Sequence, residues 1–179
     1  MFYVSALKNT PPESYITPLQ KEGYAALAEL GIPFWRVDTD DAITMEDCVQ
    51  IEAKLEAAMV KTLFLCNRQQ SQFYLFVTRG DKPFRSREFS SALGVARLSF
   101  APAEKMLEML GTKIGAATVL SALNDPEGQV RVVFDRDVLA KEWMAISDGT
   151  TTGYLKVPVQ RIYQDFLSFA RHTPAAVEV

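Results

Sequence analysis

The stretch "VKTLFLCNRQQSQFYLFV", residues 60–77, restricts the fold of this chain more than any other segment. Two runs rich in aromatic and aliphatic residues, "KTLFLCN" and "QFYLFVT", flank the polar tip "RQQS". This pattern predicts two strands joined by a turn. Lys61 is out of place at the head of the first strand. At a strand end its aliphatic stem can pack while the ammonium faces a cleft. The alternative is a surface lysine that only snorkels to solvent.

Helix and strand signals surround this hairpin. "PLQKEGYAALAELG" reads as a helix with Leu19, Tyr24, Leu27 and Leu30 roughly on one face and Gly31 at its C-terminal end. "IPFWRVD" reads as a strand that buries Phe34 and Val37 at least in part. "ITMEDCVQIEAKLEAAM" reads as a helix capped by Thr44, with Glu46 and Asp47 in the first turn, where the macrodipole favours acids. "RSREFSSALG" and "APAEKMLEMLG" are short helices ended by glycine, with "ARLSF" a strand between them. "QVRVVFD" alternates as a strand after the turn "PEG", and "VPVQRIYQDFLSFARH" closes the chain as an amphipathic helix with Ile162, Phe166 and Phe169 on its apolar face. Strands and helices alternate irregularly. The expectation is α+β: one domain over residues 1–179, with a mixed, mostly antiparallel sheet flanked by helices.

Composition limits the function classes. Apolar residues make up 48% and charged residues 23% of 179 positions, which suits a soluble globular chain able to bury its own core. Cys48 and Cys66 form no CxxC pair, which points to a reducing, cytoplasmic setting. No apolar run is long enough for a membrane span, and "MFYVSALKNTPPE" lacks the pattern of a signal peptide. One histidine, His172, and two separated cysteines make a poor zinc set and a poor nucleophilic triad, and His172 reads as a solvated cap after the last helix. Phosphate-binding glycine loops of the nucleotide and dinucleotide kinds are absent, so no cofactor is expected.

The net charge of −3 argues against a DNA-coating protein, but the charge is unevenly spread. Residues 13–60 carry a net −7 and residues 61–87 a net +5. Arg79, Lys82, Arg85 and Arg87 therefore form a candidate phosphate-binding patch, the last three in an exposed loop and helix start, unless they serve solubility alone.

Several segments recur in a telling order: "LAELGIPF", "VKTLFL", "FYLFV" followed by "GDK", "ALGVARLSFAPAEKMLEMLG", "GAATVLSALND" and "VRVVFDRDVL". Together they resemble the YbaK/ProX family, most nearly its ProX-type branch of prolyl-tRNA editing proteins, over roughly residues 18–170. The resemblance implies a compact, partly barrel-like α+β fold. It also implies trans-editing, the hydrolysis of the ester that joins a wrong amino acid, such as alanine, to the terminal adenosine of prolyl-tRNA. The partners it implies are the tRNA acceptor end and a prolyl-tRNA synthetase.

The family's lysine matches Lys61, which is implied to hold the terminal phosphate or polarise the ester. The next position is often asparagine in the family and is Thr62 here. Gly115, in "GTKIGAAT", matches a glycine whose loop brings backbone N–H groups, Ala116 included, to the aminoacyl moiety or its oxyanion. A turn with no catalytic duty is the competing reading. Val119 stands where relatives carry proline. The family's histidine and asparagine positions match Ser147 and Thr151, so "ISDGTTTG" lacks both, although Ser147, Asp148, Thr151 and Thr152 can still line a polar pocket. An activated ester needs only modest help, and a vicinal ribose hydroxyl can position the water. The alternative is a tRNA-end-binding or synthetase-docking module of the same fold with weakened catalysis.

Overall fold

A computed structural model describes all residues, Met1–Val179. The hairpin forms as its sequence predicts. β2 (Val60–Cys66) pairs antiparallel with β3 (Phe73–Arg79) in continuous register from Val60↔Arg79 to Cys66↔Phe73. Asn67 closes the tip, its carboxamide oxygen accepting from the backbone N–H groups of Ser71 and Gln72.

Two sheets are built around this hairpin. A five-stranded sheet has the order β4-β2-β3-β5-β8, with β4 (Ser99–Phe100), β5 (Val130–Asp135) and β8 (Ala175–Val177). A three-stranded antiparallel sheet has the order β1-β7-β6, with β1 (Trp35–Asp38), β6 (Trp143–Ser147) and β7 (Gly153–Pro158). They meet at a bridge between Met59 and Ala145 and do not close into a barrel.

β5 runs parallel to both β3 and β8. The larger sheet is covered on both faces, so the apparent alternation of "QVRVVFD" is misleading: of the six residues of β5 only Arg131 is exposed. One face, with Phe64, Leu75, Val77, Val132 and Phe134, joins the main core. The other, with Leu65, Tyr74, Phe76 and Val133, packs on Phe89 and Val177. Strands buried on both faces need near-continuous apolar sequence, which is what "LFLC" and "FYLFV" provide.

The helices follow their end signals. α1 (Pro18–Glu29) is capped by Thr17, and Gly31 takes φ +65° just past its end. α2 (Met45–Leu55) begins with a full capping box between Thr44 and Asp47. It stops four residues short of the expected Met59, because Glu56 turns into the left-handed region and the chain then enters the bridge to β6. α3 (Ser86–Leu93) and α4 (Ala103–Leu110) end at Gly94 and Gly111. A 3-10 helix (Val119–Asn124) and the short α5 (Arg136–Leu139) flank β5.

The last helical stretch begins later than expected, since β7 takes up "VP". It consists of α6 (Val159–Arg161), a π turn (Ile162–Phe166) and α7 (Leu167–Phe169). Ile162 and Phe166 are fully buried, but Phe169 is exposed, because the wider π turn rotates it off the apolar face. His172 is not solvated. It is buried, its Nε2 lying 2.7 Å from the Asp125 carbonyl oxygen, and it anchors the chain before β8.

Candidate active site

A cleft of about 560 Å³ opens between β2, the Ile114–Ala117 loop and the facing ends of β6 and β7. Its wall is lined mostly by apolar residues. Twelve of its sixteen lining residues are apolar, and the other four are Lys61, Thr62, Gly115 and Ser147. A mainly apolar cavity with a few convergent polar groups is the usual form of a small-molecule site. The structure thus brings together, from three separate stretches of sequence, four of the residues expected to form one.

β2 contributes more than side chains. The Phe64 carbonyl accepts from the Ala101 N–H on the β4 side, whereas the Met59 carbonyl accepts from Gly80 on the β3 side. Alternation along the strand then directs the N–H and C=O of Thr62 away from β3. β4 pairs only with Leu65 and Cys66, so it does not reach Thr62, and that stretch of strand edge faces the cleft. Lys61 pairs across the hairpin with Thr78. Its ammonium donates a short hydrogen bond to the main-chain carbonyl of Lys82. Burial holds its pKa below the ordinary lysine value, against the pull of Asp81.

Across the cleft, Gly115 has φ +92°, a conformation that L side chains rarely adopt. Ser147 ties two loops together: its hydroxyl lies 2.7 Å from the Thr150 carbonyl and 3.5 Å from that of Ala116, and it accepts from Gly149 N–H at 3.1 Å. Ala116 itself is fully buried behind the cleft wall.

Asp148 does not line the cleft. It is buried beneath it, with Gln20 Nε2 and the Tyr24 hydroxyl each 2.9 Å from Oδ2, and the Thr150 hydroxyl and N–H at 2.7 and 3.1 Å from Oδ1. Burial pushes the carboxyl above its ordinary value even so, and pushes the Tyr24 phenol up as well. Asp148 therefore fixes the loop that carries Ser147, and does so from α1. Thr151 and Thr152 line an adjoining depression with Asp41 and Lys113, separated from the cleft by Gly115.

The basic patch is mostly neutralised. Lys82 Nζ sits 2.7 Å from buried Asp135 and 2.6 Å from Asp137. Arg79 pairs with Asp81 and Asp137, and Arg85 with Glu88. Of the four expected phosphate contacts only Arg87 makes no ion pair. Asp135 and Asp137 lie more than fifty residues along the chain, where a local charge count does not register them.

Sequence reasoning missed Cys48, Met106, Ile114 and Tyr154, all of which line the cleft. Cys48 follows the Thr44–Asp47 cap by one residue, so that cap also places the thiol. Burial, then Glu52 and Asp47, raise its pKa and keep it a neutral thiol. No three His, Cys, Asp or Glu side chains gather as a metal set, and no helix is long and apolar enough to cross a membrane.

Comparison with known proteins agrees with this geometry. Residues 39–163 match the family described as "Aminoacyl-tRNA editing domain". The chain is 30% identical over 130 residues to the prolyl-tRNA editing protein ProX of Acetoanaerobium sticklandii, covering 72% of this chain and 79% of that protein. It is 28% identical over 161 residues to prolyl-tRNA synthetase associated domain-containing protein 1 of Danio rerio, covering 87% of this chain and 85% of that one. In fold it resembles a solved structure described as a candidate trans-editing enzyme for prolyl tRNA synthetase, with TM-score 0.63, 16% identity and coverage of 92% and 98%. The matched residues contain β2, the Gly115 loop and Ser147, the parts from which the cleft is built, and the chain belongs to the aminoacyl-tRNA editing domain family, the YbaK/ProX family its sequence resembles.

Proposed function

We propose that residues 1–179 act as one editing domain that hydrolyses mischarged aminoacyl-tRNA in trans, with a small amino acid such as alanine on prolyl-tRNA as substrate. The observation that carries this reading is the cleft. Its only residues that are not apolar, Lys61, Thr62, Gly115 and Ser147, come from the strand edge and the two loops that an acylated tRNA end would meet.

In this reading the terminal adenosine and its aminoacyl ester enter the cleft. Backbone N–H groups at Thr62 and around Gly115 hold the acyl carbonyl, donating to the oxyanion that forms when water adds to it. The Lys61 ammonium leaves the Lys82 carbonyl and supplies positive charge at the phosphate or the ester. A ribose hydroxyl of the substrate orients the water, and the ribose oxygen of the broken ester takes the proton. The mainly apolar wall, with Cys48 neutral, suits a small side chain better than a charged one. Thr151, Thr152 and Asp148 shape the loop next to that side chain. The tRNA acceptor end is the direct partner, a prolyl-tRNA synthetase would deliver it, and a cytoplasmic location follows from that substrate.

Deacylation of a panel of mischarged tRNAs under single-turnover conditions tests the proposal. Alanyl-tRNA(Pro) should be hydrolysed, and Lys61→Ala should slow the reaction at least tenfold, as expected for a cation at a developing charge. A panel left intact by the wild type rejects hydrolysis. It would favour the second reading, a tRNA-end-binding module, which the engagement of Lys61 by the Lys82 carbonyl supports.

A further inference from the structure

Phe100 belongs to two cavities at once. It lines the cleft, and it also lines a shallower groove of about 370 Å³ between the hairpin tip and β4. Phe100 is 63% exposed, yet it is held in place. The β4 ladder places it opposite Leu65, and its ring lies 5.6 Å from that of Phe84. An exposed aromatic held this firmly is a prepared surface.

The groove beyond it is cationic. Arg68 and Arg97 both line it, and no acidic residue does. Both are exposed, and neither makes an ion pair or a side-chain hydrogen bond within the chain, unlike Arg79, Lys82 and Arg85. Unpaired guanidinium groups beside a free ring match a ligand that carries both phosphates and open π faces. A double helix keeps its base faces stacked inside and leaves such a ring without a partner, whereas a single strand offers them. The groove runs into the cleft at Phe100, so a strand lying in it delivers its end to Lys61 and Gly115.

We infer that this groove carries the single-stranded acceptor end of the tRNA substrate, with a base stacked on Phe100 and phosphates held by Arg68 and Arg97. The inference rests on the reading of the chain as an enzyme acting on aminoacyl-tRNA, and it moves the phosphate track from the neutralised 79–85 patch to the opposite end of the hairpin.

The test uses the full chain and two probes: an uncharged transcript of a proline tRNA, and the same transcript lacking its three terminal nucleotides. Binding is followed by fluorescence anisotropy over a salt series. Phe100→Ala should weaken binding of the complete transcript about tenfold and leave the shortened one unaffected, while Phe100→Tyr keeps the wild-type affinity and shows that the ring, not the fold, is responsible. Arg68→Ala with Arg97→Ala should reduce the slope of log K against log salt by about 1.4, the loss of two single-strand phosphate contacts. Unchanged affinity and slope overturn the inference, as does a wild type that binds neither transcript. A groove built for an acidic peptide would bind poly-glutamate as well as the transcript and ignore Phe100, which also overturns it. Parallel deacylation assays separate the two readings. Binding that depends on Phe100 without hydrolysis rejects the enzyme and keeps the groove. Hydrolysis with unaltered binding in the groove variants rejects the groove alone.

Discussion

The hydroxyl of Tyr24 lies 2.9 Å from Oδ2 of Asp148, joining α1 to the loop behind the cleft across 124 residues of sequence. Tyr24 lies outside the residues that match the editing family, whereas Asp148 lies inside them. Tyr24→Phe keeps the ring in its packing and removes one of four donors from a buried carboxylate. It should cost about 1–3 kcal/mol of stability, read as a lower urea midpoint. Unchanged stability would mean that Gln20 and Thr150 satisfy Asp148 without it.

Gly153 shows how closely this carboxylate is packed. A Cβ at that position would come within 2.2 Å of Asp148 Oδ2. Gly153→Ala should therefore destabilise the fold by about 1–3 kcal/mol through overpacking. It should also raise KM for the aminoacyl-tRNA, since Ser147 is displaced together with Asp148. A variant that melts like the wild type would show that the loop has room to shift.

Asp148 also sets a pH dependence of stability. Burial raises its pKa in the folded state above the ordinary 3.8, outweighing the hydrogen bonds from Gln20, Thr150 and Tyr24. Between those two values the folded chain holds a proton that the unfolded chain has lost, so this group's contribution falls as pH rises and then levels off. Asp148→Asn does not titrate. The stability of the wild type minus that of the variant, from urea titrations between about pH 4 and about pH 7, should fall with rising pH. A constant difference would place the folded pKa at its unfolded value.

Lys82 has a structural duty that complicates any binding assay. It neutralises Asp135, which is 1% exposed and otherwise bonds only to the Thr78 hydroxyl and the Asp137 N–H. Lys82→Ala leaves a buried carboxylate without its cation and should cost about 3 kcal/mol. Adding Asp135→Asn should recover most of that loss. A Lys82→Ala chain that melts normally but binds tRNA weakly would restore Lys82 as a phosphate contact.

The cap of α2 gives a gentler perturbation. Thr44→Ala removes the hydroxyl that accepts from Asp47 N–H and should cost about 1 kcal/mol. Because α2 carries Cys48 into the cleft wall, the variant should lose more in KM than in kcat. Equal losses in both would argue that the helix does not touch the substrate.

The sequence is legible where local chemistry determines the structure. The hairpin, the Thr44 cap and the glycines that end α1, α3 and α4 need no distant partner. Lys61, Thr62, Gly115 and Ser147 were also legible, through the family resemblance, and they meet in one cleft. What failed was set by tertiary contacts. The parallel pairing of β5 is invisible in "QVRVVFD", whose apparent alternation suggests a half-exposed strand although only Arg131 is exposed. Asp148 reads as a loop residue until Gln20 and Tyr24 surround it. The 79–85 cations look free until Asp135 and Asp137 arrive from another strand and helix.

The brevity of β4 has a further consequence. Its last ladder contact is the bond from Ala101 N–H to the Phe64 carbonyl. Continuing that register would set residue 102 opposite Leu63 and residue 103 opposite Thr62, but Pro102 is the N-cap of α4 and the chain turns into that helix at Ala103. Pro102 acts as a stop on a zipper. Were the pairing to advance toward Thr62, the neighbouring strand would occupy the edge that now faces the cleft, and the cavity would seal itself with the protein's own backbone.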